Sequence, residues 1–126
     1  MSKKIVATTD DPEAAGPYSQ ATHANGFVFV SGQLPLHPET GEMPESVAEQ
    51  TALSLANIKA ILAAEGLNMG HIVKCMVFLT DMDRFGEMND VYASVFESAP
   101  PARSAYQVVR LPKDAKVEIE AIAVSG

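Results

Sequence analysis

The stretch PPARSAYQVVRLPKDAKVEIEAIAV, residues 100–124, decides the fold. Pro100 and Pro101 stop any preceding helix, because proline lacks a backbone donor and restrains the residue before it. From Arg103 to Val109 the chain then reads as extended. Leu111-Pro112-Lys113-Asp114 supplies a turn, and Lys116 to Val124 forms a further strand. Along that strand Val117, Ile119, Ala121 and Ala123 alternate with Glu118, Glu120, Ile122 and Val124. One face is therefore a core face, and the other carries two carboxylates. Two extended segments around a short turn predict a β-hairpin, with Arg103 near one end and Glu118 and Glu120 on the return strand.

Upstream, Phe85, Met88, Tyr92, Val95 and Phe96 form the apolar stripe of a helix that begins near Asp81 or Asp83 and ends at the prolines. Ile72 to Leu79 is continuously apolar except for Lys74, the signature of a strand buried on both faces. Before it, Ser46-Val47-Ala48-Glu49 matches a capping box. Val47, Thr51, Leu55, Ile58 and Leu62 then recur at helical spacing, and Gly66 is placed to end that helix. Phe27 to Ser31, bounded by Asn25-Gly26 and Gly32, predicts another strand, and Lys3 to Thr8 a short first one. Between the last two lies a polar stretch, Thr9–Gly26, read as a loop, and His37 to Gly41 is turn-rich.

This order gives an α+β fold: a mixed β-sheet with two helices packed on one face. Each helix joins two strands by a crossover, so part of the sheet is parallel. Two helices cover only one face, yet the strands keep apolar residues on both. The uncovered face is expected to pack against another subunit. The alternative cover is the Thr9–Gly26 loop folded back over the sheet.

Length and composition fit one domain, residues 1–126, with an ordinary globular balance of apolar and charged residues. Nine basic against sixteen acidic residues leave a net charge of −7, and no Lys/Arg cluster reverses it locally. That field counts against nucleic acid as a partner and obliges an anionic small molecule to find a local cation. The first residues, MSKKIVATTDDPEAAG, hold no apolar run of signal-peptide length, and no segment is apolar enough to span a membrane. The expected location is the cytoplasm. The single cysteine, Cys75, excludes an internal disulfide, and His23, His37 and His71 lack ligand spacing, so no metal site is expected.

Few residues look chemical. Arg103, fixed behind a double proline, offers a planar fork for a carboxylate, although an ion-paired surface arginine would read the same. Glu118 and Glu120 share one strand face and read either as solvated edge residues or as carboxylates that activate water beside a cation. Gly16-Pro17-Tyr18-Ser19-Gln20 is a rigid turn presenting Tyr18. Ser31 sits before Gly32 at a strand end, outside any G-x-S-x-G elbow. Asn89 borders the apolar face of the second helix, within reach of a neighbouring loop. Cys75 lies in the most apolar strand and reads as a small packed hydrophobe.

Several motifs then converge: GPYSQ at 16–20, VSGQLP at 30–35, TGE at 40–42, Asn89-x-x-Tyr92, PPARSA at 100–105 and VEIEAIA at 117–123. In order and spacing, over essentially the whole chain, they resemble the Rid (YjgF-type) family, its RidA-like branch most of all. The resemblance implies a chorismate-mutase-like fold, a trimeric barrel of three sheets, and clefts between subunits. It also implies hydrolytic deamination of 2-enamino and 2-imino acids to 2-oxo acids and ammonia, with no cofactor. Carried over by motif, Arg103 would bind the carboxylate and Glu118 would position water. Tyr18, Ser31, Asn89 and Ala105 would line the cleft. At position 105 many RidA-like members have cysteine, so thiol chemistry there is absent. Three alternatives remain open: a non-catalytic 2-oxo-acid-binding module, a ribonuclease or translation inhibitor, and a redox-activated chaperone.

Overall fold

A computed structural model describes residues 2–125. Six strands and two α-helices follow one another along the chain: β1 (Lys4–Val6), β2 (Ala21–Ala24), β3 (Phe27–Gln33), α1 (Val47–Ala63), β4 (Ile72–Leu79), α2 (Phe85–Val95), β5 (Ala102–Gln107) and β6 (Val117–Val124). The strands form one mixed sheet in the order β1-β2-β3-β6-β4-β5. Only β4 and β5 pair in parallel; every other neighbour is antiparallel.

α1 forms because its buried side chains repeat at helical spacing. All five predicted positions, Val47, Thr51, Leu55, Ile58 and Leu62, are buried. Ser46 Oγ accepts from the Glu49 amide at 3.1 Å, and Glu49 returns to the Ser46 hydroxyl rather than to its amide. At the other end Gly66, at φ +71°, takes the left-handed conformation, and Leu67 N donates to Leu62 O at 2.9 Å. The helix also buries Gln50 and Asn57, each with partners. Gln50 binds Pro44 O and Lys116 N, while Asn57 Nδ2 donates to Leu34 O and Leu36 O. These amides anchor the β3–α1 loop and the start of β6 to the helix.

α2 starts after a 3₁₀ turn, Met82–Arg84, capped by Asp81. Its buried stripe is Met88, Tyr92 and Phe96, whereas Val95 is 38% exposed. The stripe turns away at Val95 because the helix ends there and Phe96, its C-cap, takes the inward place. On β6 the predicted alternation holds: Val117, Ile119, Ala121 and Ala123 are buried against the helices.

Two expectations on the path of the chain need correction. Thr9–Gly26 is not all loop, since Ala21–Ala24 forms β2 and pairs with both β1 and β3. Nor do the last two strands make a hairpin, because β4 lies between β5 and β6. β4 is the most apolar strand and takes a partner on each edge, and the connection after β5 passes around its end. There Val108 N donates to Leu79 O at 2.8 Å, and Thr80 N to Lys116 O at 3.2 Å.

No described segment covers the second face of the sheet. Phe27 and Phe29 stand 42% and 45% exposed there, and Tyr106 51%, beside Met76, Phe78, Ile122 and Val124. Among the described residues, no helix is long and apolar enough to cross a membrane.

Candidate active site

Arg103 reaches its position through β5. Opposite it on β4 stands Cys75, and opposite Ala105 stands Val77. Both β4 residues are wholly buried. In-register neighbours share a face, so Arg103 and Ala105 lie on the helix-covered side. α2 meets them with Phe85, Asn89 and Tyr92, spaced i, i+4, i+7 along one helix face. Arg103 Nη1 donates to Asn89 Oδ1 at 2.8 Å. Its guanidinium carbon stands 4.6 Å from the Tyr92 ring centre and 5.4 Å from that of Phe85. Among the described residues, no carboxylate lies within ion-pair distance of Arg103. The Tyr92 hydroxyl is buried and faces the Cys75 thiol. Burial pushes the pKa of the Cys75 thiol and of the Tyr92 hydroxyl up, so both groups are neutral at neutral pH.

The remaining predicted residues gather elsewhere. Glu118 pairs with Phe78 and Glu120 with Met76, on the open face of the sheet. Beside Glu118, β3 breaks register between Val30 and Gln33, a bulge that contains Ser31 and Gly32. A Cβ on Gly32 would stand 2.8 Å from the Glu118 carboxyl carbon and from Oε1, so only glycine lets the carboxylate lie against the bulge. Burial first, and the charge of Glu120 second, raise the pKa of Glu118 above the ordinary glutamate value. Ser31 Oγ donates to Ser19 O at 2.6 Å and Ser31 N to Gln20 O at 3.0 Å, strapping the GPYSQ turn to the bulge. That turn holds Tyr18, 51% exposed, with its hydroxyl accepting from Ala15 N at 3.3 Å.

Arg103 and Glu118 are therefore on opposite faces of one sheet, separated by β4. Within a single chain the predicted residues form two groups: Arg103, Asn89 and Ala105 under α2, and Glu118, Ser31 and Tyr18 around the bulge. Among the described residues, no cluster of three or more histidine, cysteine, aspartate or glutamate side chains could hold a metal ion.

Other site residues were not visible as such in the sequence. Phe85 and Tyr92 carry the helical spacing of a core stripe and serve as core and as arginine contact at once. Gly32 showed only as a strand boundary. Asp11, in a stretch that reads as exposed loop, is 3% exposed, and neither carboxylate oxygen has a partner. Burial pushes its pKa up to about 7. It shares a cavity of about 30 Å³ with Glu13, Tyr18, Gly32 and Lys113.

Known proteins match this chain along nearly its full length. Residues 8–125 fit the protein-family model described as Endoribonuclease L-PSP. TdcF of Escherichia coli strain K12, provisionally named a reactive intermediate deaminase, is 50% identical over 125 residues, with 97% of each chain covered. The 2-iminobutanoate/2-iminopropanoate deaminase of Mus musculus is 44% identical over 125 residues, covering 98% of this chain and 93% of its own. The crystal structure of E. coli TdcF with bound serine superposes at a TM-score of 0.95 with 49% identity, over 98% of this chain and 99% of that one.

Proposed function

The chain belongs to the Endoribonuclease L-PSP family, the Rid (YjgF-type) family, and from that premise we propose that it is an enamine/imine deaminase. Its substrates are 2-imino acids and their enamine tautomers, such as 2-iminopropanoate and 2-aminoacrylate, and its products are 2-oxo acids and ammonia. One observation carries the reading to this chain's own residues: Arg103 is ordered by Asn89 and two aromatic rings, with no carboxylate among the described residues to neutralise it. A cation held in that way suits a substrate carboxylate, gripped by two parallel N–H···O bonds.

The chemistry needs water at an electrophilic carbon and a proton at the departing nitrogen. Arg103 fixes the carboxylate and so the adjacent C=N carbon. Glu118 takes a proton from water as its oxygen bonds to that carbon and passes it to the imine nitrogen, giving a carbinolamine. The same carboxyl group then takes the hydroxyl proton and delivers it to nitrogen, the C–N bond breaks, and ammonia leaves as the C=O forms. Tyr18, Ser31, Asn89 and Ala105 line the cleft. An imine is already electrophilic, so positioning and proton transfer supply the catalysis.

Because the sheet separates Arg103 from Glu118, this mechanism takes them from two copies of the chain. The uncovered face, with Phe27, Phe29 and Tyr106 exposed, supports such association. Three copies closing their sheets into a barrel would create three clefts, each pairing the α2 side of one copy with the bulge of the next. The cytoplasm, where pyridoxal-phosphate dehydratases release such enamines, is the working place. The ribonuclease suggested by the family's description gains nothing from a net charge of −7.

The test is ammonia and pyruvate release from 2-aminoacrylate generated in situ, for wild type, Arg103→Ala and Glu118→Ala. Wild type accelerates release and both variants lose that acceleration. Wild type no faster than buffer ends the deaminase reading.

A further inference from the structure

α2 presents Phe85, Asn89 and Tyr92 to Arg103 on one face, and all three are uncharged. A carboxylate that steadies an arginine also neutralises it. Here the ring centres of Tyr92 and Phe85 lie 4.6 and 5.4 Å from the guanidinium carbon, and the amide oxygen of Asn89 accepts one N–H at 2.8 Å. A guanidinium has five N–H donors, and this one makes no other hydrogen bond to the described residues. The ring quadrupoles attract the cation without removing its charge or occupying its N–H edge.

Tyr92 is 5% exposed, with its hydroxyl against the Cys75 thiol. What Tyr92 and phenylalanine share is the ring under Arg103.

We propose that Phe85 and Tyr92 are positioning residues. With Asn89 they form a neutral bracket that orients Arg103 and leaves its whole charge for a ligand carboxylate. This rests on the functional reading above, because the ligand is taken to be a 2-imino or 2-oxo acid. The bracket has two separable consequences. Removing a ring loosens the guanidinium and weakens carboxylate binding. Adding a negative charge leaves the guanidinium in place but spends it.

The experiment uses the full chain, with pyruvate as the probe. Calorimetry gives its affinity, and the Arg103 Nε–Hε resonance reports ring-current shielding independently of any ligand. Tyr92→Phe keeps both the wild-type affinity and the shielded resonance. Tyr92→Leu, with its fold checked by circular dichroism, loses the shielding and binds pyruvate about 2- to 30-fold more weakly, the range of one cation–π contact. Asn89→Asp retains the shielding yet binds about tenfold or more weakly, because Arg103 now has an internal counter-ion. A merely structural role for Tyr92 would remove the shielding without weakening pyruvate binding. The proposal is overturned if Tyr92→Leu binds pyruvate with wild-type affinity although the shielding is lost, or if Asn89→Asp binds pyruvate like wild type. Wild type that fails to bind pyruvate, with the resonances still following this pattern, would sink the carboxylate-site reading but not the bracket.

Discussion

Replacing Asp11 by asparagine should stabilise the protein at neutral and alkaline pH and do little in acid. The native carboxyl is 3% exposed with both oxygens unpartnered, and its pKa rises from 3.8 to about 7. Because the raised value belongs to an acid, the fold favours the neutral form. Between pH 4 and 7 the native state therefore binds more protons than the unfolded chain, and stability falls as pH rises. The penalty is absent below the unfolded pKa of 3.8 and complete above about 7. Roughly three pKa units at 1.36 kcal/mol each set its ceiling at about 4 kcal/mol. Asparagine keeps the shape and cannot ionise. Urea denaturation followed by circular dichroism, from pH 4 to 8 at one protein concentration, gives the difference between variant and wild type. All shared titrations cancel in that difference. It should grow with pH and level off near neutrality. A difference that is flat across the window would show that Asp11 is ionised and satisfied in the native state, and the burial argument would be wrong.

Four further outcomes follow from the geometry. Gly32→Ala pushes a methyl group into the Glu118 carboxyl and should lower kcat for 2-aminoacrylate by about 100-fold, the cost of misplacing a reacting group by about an ångström. If Glu118 is the base, kcat falls as pH drops through its raised pKa. Glu120→Gln removes one cause of that rise and should move the acid limb of the pH–rate profile downward. Gln20 is buried and bonds Thr8 N, Thr8 O and Pro12 O, so Gln20→Ala should cost about 1–3 kcal/mol in denaturant titration. Phe29→Asp puts a charge on the open sheet face, and light scattering should then report separated chains; unchanged assembly would remove that face from the interface.

Much of the fold was legible because its signals are local. The helical spacing of Val47 to Leu62 and the alternation of Val117 to Val124 each report one element packing on one core. Pairing was not legible, since nothing within Arg103–Val124 says that β4 inserts between its two strands. That order is set by the apolar character of Ile72–Leu79, far off in sequence. β2 escaped notice because Ala21-Thr22-His23-Ala24 has little β-branched or aromatic content, and β1 and β3 impose its extended form. At the candidate site, residue type and motif nominate Arg103 and Glu118. Their separation by the sheet was not legible, because it depends on strand order. Asp11 gave no signal at all: an aspartate before proline reads as a solvated turn.

The division of the candidate site between two faces of the sheet has a genetic consequence. If each cleft draws Arg103 from one copy and Glu118 from the next, lesions at the two positions are not equivalent within one assembly. A cell expressing Arg103→Ala and Glu118→Ala chains in equal amounts would regain intact clefts, since random mixing joins a sound α2 side to a sound bulge about once in four. Two inactive alleles would then complement each other. A single defective allele beside a normal one would damage clefts that the normal chain had helped to build.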